Sequence, residues 1–187
     1  MLKRLQILIV LVMSICSTVT GVVSGASPIQ GPQAGGDSLY FHVWSFKGMT
    51  FELSVQDTNV LYRCLPYGSE VLARWASFSV SSQMSHALFT DLNRLGAFGW
   101  KERYAGGALD GEGWTLQAKV GGRVVRSFGS NAQPNGLGPV IDRLVQFLGN
   151  RPFGFSGVVE VPPDNCLTMT GRFRNHVWNE AKAHREP

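Results

Sequence analysis

Cysteine is scarce in this chain. Three cysteines in 187 residues are too few for a disulfide-stapled miniprotein or a structural zinc cluster. Charge is scarce as well. Asp, Glu, Lys and Arg make up 16% of the residues against 44% hydrophobic, which excludes a disordered chain that cannot bury enough apolar surface. The composition also excludes collagen, a coiled coil, a polytopic membrane protein and a dedicated nucleic-acid binder. Catalytic and metal motifs are missing too. His42, His86, His176 and His184 form neither HExxH nor a paired HxH. There is no GxSxG nucleophile elbow, no P-loop, and no GxGxxG after a parallel strand. No catalytic residue, metal ligand or cofactor is therefore assigned.

Glycine, by contrast, is plentiful. Its 22 copies point to many tight turns and a β-rich fold, and the length suits one ordinary domain.

Residues 1–26 read as an export signal. Lys3 and Arg4 give a positive start, residues 5–12 an apolar run, and Ser24, Gly25 and Ala26 the small residues of a cleavage site after Ala26. The run is too short, and too soon diluted by Ser and Thr, for a membrane span. Two alternatives stay open: retention as an N-terminal anchor, and lipidation at Cys16, where the preceding Ile15 is a poor fit. The signal holds two basic residues and no acidic one, so the net charge of +4 falls to +2 without it. Scattered charges at that level give no footprint for nucleic acid. The expected location is periplasmic or extracellular, with no stable membrane span after cleavage.

Cleavage removes Cys16 and leaves Cys64 and Cys166, 102 positions apart. In an oxidising compartment the two are expected to bridge, joining the early sheet to the C-terminal tail. Such a long loop stabilises by up to about 4–5 kcal/mol on chain-entropy grounds. Two unpaired buried thiols acting as small hydrophobes are the alternative.

Residues 27–37 hold Pro, Gly and Gln with almost no apolar side chains, and predict a flexible leader without fixed structure. A single domain is expected over 38–161, with a tail over 162–187. From Ser38 the period is two. Leu39, Phe41 and Val43 alternate with Tyr40, His42 and Trp44, then Phe51, Leu53 and Val55 with Glu52, Ser54 and Gln56. A third run carries Val60, Tyr62 and Cys64, and a fourth Ala76, Phe78 and Val80. Ser85 fits a helix N-cap, Leu88, Leu92 and Leu95 follow at helical spacing, and Gly96 is a natural stop. Trp114, Leu116, Ala118 and Val120 share a face of a strand that turns at Gly121-Gly122 and returns from Val124 to near Phe128. Pro139 suits a first helical position, and Ile141, Leu144, Val145 and Leu148 form an apolar stripe closed by Gly149. A last strand over 157–161 and a frayed helix over 175–187 complete the pattern. The order ββββ-α-ββ-α plus tail predicts an α+β domain: an antiparallel sheet of about six strands with two helices on one face.

One stretch has a pattern of its own. It runs from Asp110-Gly111 through Trp114-x-Leu116, across the glycine hairpin, to Gly129-Ser130-Asn131-x-x-Pro134 and into the amphipathic helix. With the preceding helix and the Gly99-Trp100 corner, it resembles a family of uncharacterised bacterial α+β proteins. The resemblance covers about residues 85–149, under half of the mature chain. It implies a fold and transfers no chemistry.

The glycine-rich segment over 129–139 reads as a strand-to-helix turn more readily than as an anion site, and Asp110-Gly111-Glu112 as a solvated turn more readily than a calcium loop. The aromatics are the remaining resource. Both faces of the first strand are apolar or aromatic. One must meet the core. The other, with Tyr40, His42 and Trp44, lies under a helix or forms a patch for a protein partner or a sugar. The expected function is a secreted or periplasmic protein-binding module of inhibitor or immunity type. Its unknown protein partner would contact Tyr40, His42 and Trp44. The alternative is a small cell-envelope hydrolase with a site assembled in space from groups such as His42, His86 and Asp91.

Overall fold

The structure, a computed structural model, describes residues 36–106, 111–155 and 166–167. The first alternating runs become β1 (Ser38–Ser45), β2 (Met49–Gln56) and β3 (Asn59–Pro66), and β4 (Arg74–Ser79) completes a meander. Helix α1 (Ser82–Arg94) follows. Next come a short β5 (Arg103–Ala105), the hairpin of β6 (Glu112–Val120) and β7 (Arg123–Ser130), and helix α2 (Leu137–Phe147). Gly121 and Gly122 at φ 54° and 82° make the primed turn between β6 and β7. The sheet order is β4-β3-β2-β1-β6-β7-β5, so the first strand lies in the middle.

The fold is α+β, with seven strands instead of about six. The added strand is β5, which pairs parallel to β7 and makes the sheet mixed. Three residues are too few for an alternation to stand out in the sequence. The cap of α1 also differs. Ser81, not Ser85, is extended (φ −68°, ψ 152°), and its side chain accepts from the Met84 N–H at 3.1 Å. Ser85 lies one turn inside the helix, buried, and its hydroxyl donates to the Asp57 carbonyl at 2.5 Å. Helix α2 starts at Leu137 behind Gly136, so Pro139 is its third residue. The missing proline N–H still falls among the four donors that a helix start leaves unpaired.

One side of the sheet carries the core. Leu39, Phe41 and Val43 of β1, Phe51, Leu53 and Val55 of β2, and Tyr62 and Cys64 of β3 are all buried. So are Trp114, Leu116 and Ala118 of β6, together with Leu88 and Leu92 from α1 and Val140, Ile141 and Leu144 from α2. Past α2 the chain returns to the same side. Phe153 packs on Phe41 at 5.7 Å and Phe51 at 6.2 Å, and the Tyr62 hydroxyl donates to the Pro152 carbonyl at 2.5 Å. Cys64 and Cys166 are brought to disulfide distance there, with Cα atoms 6.3 Å apart.

Asp37 is held at both ends: its carbonyl accepts from Asp57 N–H and its carboxylate from Gly121 N–H at 2.9 Å. Asp37, the last residue of the expected leader, is thus tied to the sheet. Residues 1–35, the candidate strand over 157–161 and the candidate helix over 175–187 lie outside the described residues. Among the described residues, no helix is long and apolar enough to cross a membrane.

Candidate functional site

The sheet side away from the helices is built by the other half of each alternation. Register aligns it into rows. The central row runs Trp75, Arg63, Glu52, His42, Thr115, Phe128 and Arg103, one residue from each of the seven strands. Tyr40 lies in the neighbouring row with Ser54, Leu61, Gln117 and Arg126, and Trp44 in the row on the other side with Thr50 and Gly113. Tyr40, His42 and Trp44 are thus adjacent on one face, and no helix among the described residues covers it. Each is half-buried.

The three side chains meet one another and the sheet beneath them. His42 meets Trp44 at 5.1 Å between ring centroids and Tyr40 at 6.3 Å. Trp44 lies across Gly113, where an added Cβ would run into the indole. A glycine opposite a large ring lets that ring lie flat on the backbone, and the ring in turn covers the glycine. Trp44 is therefore a platform fixed by the absence of a side chain on β6.

Beside the aromatics stands an ionic cluster. Arg63 and Glu52 are 5% and 7% exposed and pair at 2.9 Å. Arg63 also donates through Nη2 to Glu70, which lies on a one-turn 3-10 helix (Glu70–Leu72) and is itself exposed. The guanidinium sits 4.7 Å from the centre of the Trp75 ring. Its Nε–H is buried with no acceptor. A buried unpaired donor costs about 1–3 kcal/mol. At the far end of the row, Arg103 stands over Phe128 at 5.9 Å, a second, exposed arginine–aromatic pair.

Titration follows from this setting. Burial, with Arg63 adding to it, lowers His42 to about 4, so the ring is neutral at pH 7. Burial, and then the Glu52 charge, push Tyr40 up to about 12, against a smaller pull from Arg63. Burial raises the Glu52 carboxyl above its ordinary value, and Arg63 draws it part of the way back. The open face thus combines a neutral imidazole and a protonated phenol with a buried Arg63–Glu52 ion pair.

The three groups of the hydrolase alternative are not brought together. His42 is on the open face, while His86 and Asp91 ride on α1 across the sheet, His86 exposed. The Asp91 carboxylate accepts from Arg143 at 2.7 Å and Arg94 at 2.9 Å, and the Arg143 hydrogen bond leads in lowering its pKa. In the 129–139 segment, the Asn131 side chain accepts from Glu112 N–H, and Ala132 O accepts from the Trp114 indole, both at 3.0 Å. Those polar groups serve the turn. Among the described residues, no group of three or more His, Cys, Asp or Glu side chains could hold a metal ion.

No known protein family matches the chain, and no curated protein does. The open face therefore has to be read from its own residues. Sequence reasoning reached Tyr40, His42 and Trp44 by alternation. It missed Glu52, Arg63, Trp75 and Gly113 as their neighbours, although the period-two phase had set Glu52 on the polar side of its strand. The missing information was the register between strands.

Proposed function

We propose that this is an exported protein-binding module of inhibitor or immunity type, and that the open face around Tyr40, His42 and Trp44 is its contact surface. The observation that supports it most is Trp44 lying over Gly113 on the sheet side away from α1 and α2. Large amphipathic rings beside desolvated polar groups are the usual anchors of protein interfaces. Export rests on the pattern of residues 1–26 and agrees with a cysteine pair at disulfide distance. The location proposed is periplasmic or extracellular.

Capture from the native cell envelope with the tagged, exported chain tests the reading. A specific partner retained by the wild-type protein and lost with a folded Trp44→Ala variant is the expected result. Equal capture by both proteins rejects the open face as the contact surface. Intact mass of the exported protein checks the address, with cleavage after Ala26 expected.

A further inference from the structure

The ionic cluster has a feature that the aromatic row does not use. Arg63 is held by two carboxylates of different kinds. The Glu52 side chain is 9% exposed and the Glu70 side chain 76%. Glu70 lies on a single 3-10 turn with no side-chain cap and no buried residue. Its neighbours Val71 and Leu72 are exposed, Val71 by 89%. Tyr67 and Phe46, also exposed, meet edge-on at 5.6 Å, and Tyr67 N–H donates to the Gly48 carbonyl, which brings this apolar group to one end of the sheet.

We propose that Glu70 is an exchangeable counter-ion, and that Arg63 is the docking point for an acidic side chain of a protein partner, flanked by apolar residues that settle on Val71, Leu72 and Tyr67. This rests on the reading that the open face binds a protein, and gives that protein its chemistry. A guanidinium presents Nε–H and one Nη2 N–H as a parallel fork that fits a planar carboxylate. Glu70 engages Nη2 and leaves the buried Nε–H without an acceptor. A carboxylate taking both donors satisfies a group that the free protein leaves unmatched. Trp75 stacks on the guanidinium and Glu52 holds its other prong, so Arg63 is set before any partner arrives. Only the weakly held 3-10 turn has to move. Exposed apolar side chains around a charged, desolvated centre give the arrangement of an interface hot spot and its surrounding ring.

The test uses the full exported chain labelled with 15N, and two capped peptides, acetyl-Leu-Glu-Leu-amide and acetyl-Leu-Gln-Leu-amide. The Arg63 Nε–H resonance is followed in the wild-type protein and in Glu70→Gln, a change at an exposed side chain. The Glu peptide should shift that resonance saturably and the Gln peptide should not. Removing the internal competitor should tighten the Glu peptide by about two- to fivefold, the scale of an exposed ion pair. A resonance that stays put, equal response to both peptides, or the same dissociation constant in Glu70→Gln overturns the proposal. So does inorganic phosphate shifting the resonance at lower concentration than the Glu peptide. Partner capture with Trp44→Ala does not enter this titration, so the two readings fail separately.

Discussion

Phe41 and His42 are neighbours in the chain whose side chains leave β1 in opposite directions. Phe41 enters a layer of apolar side chains from five strands, two helices and the chain beyond α2. His42 enters a layer matched residue by residue: Tyr40 and Trp44 meet it by ring contact along the same strand, and Glu52 pairs with Arg63 by charge from β2 to β3. The first layer is held by burial and is indifferent to direction. The second depends on register, because a slip of one residue would exchange every side chain between the two layers. The core face makes the fold, and the open face records how accurately the fold was made.

Breaking the core layer should cost most. Phe41→Ala leaves a cavity between Phe153 and Trp114 and should destabilise by about 3–5 kcal/mol in chemical denaturation. A loss under about 1 kcal/mol would mean that the helix side is loosely packed and that the two layers do not differ in this way. Next is the cysteine pair on that same side. Replacing Cys64 and Cys166 together by Ser should lower stability by about 2–5 kcal/mol, and mass spectrometry of unreduced wild-type digests should show the two peptides linked. Free thiols at both positions would remove that contribution.

The open face should answer to pH. His42 takes a proton near 6.5 when unfolded and near 4 when folded, so between those values the unfolded chain binds more protons. Stability is full above pH 6.5 and falls as the pH drops toward 4, by at most about 3 kcal/mol from this group. Glu52, raised in the folded state, works in the opposite sense, and Asp91, lowered, acts at more acid pH. The informative quantity is therefore the difference between wild type and His42→Gln, whose profile should be flatter from pH 6.5 to 4. Parallel profiles would show that His42 is not desolvated. The smallest effect expected is that of Trp44→Ala. The ring is half-buried over Gly113, so its removal should cost only about 1 kcal/mol, the range of a cross-strand pair. A loss near that of Phe41→Ala would place Trp44 with the core and take away the main support for a binding surface.

The two layers were unequally legible in the sequence. Leu39, Phe41 and Val43 declare the core face because burial sorts residue types, and the α1 and α2 stripes do the same at helical period. The Gly121-Gly122 turn was legible because its backbone conformation all but requires glycine. Strand β5 was not, since three residues leave no period to read. Nor was the Ser81 cap, because four serines precede Met84 or follow it closely and the choice among them depends on what the helix packs against. The partnership of Arg63 with Glu52, Glu70 and Trp75 is a matter of which strands pair and in what register. That is tertiary information, and alternation within one strand does not carry it.

The central position of β1 has a consequence for the order in which the molecule assembles. β1 to β4 pair with their chain neighbours through short turns, so that half forms from local contacts. The seam between β1 and β6, where Ser38 meets Lys119 and Ser45 meets Glu112, closes only after α1 and the segments beyond it are in place. Closing long loops is slow because their entropy is lost before the contacts form. The two halves of the sheet therefore run on different clocks. Until the slower one finishes, β1 offers a complete unpaired edge beside its ring of aromatics, which is the interval in which the chain is most exposed to pairing with another copy of itself.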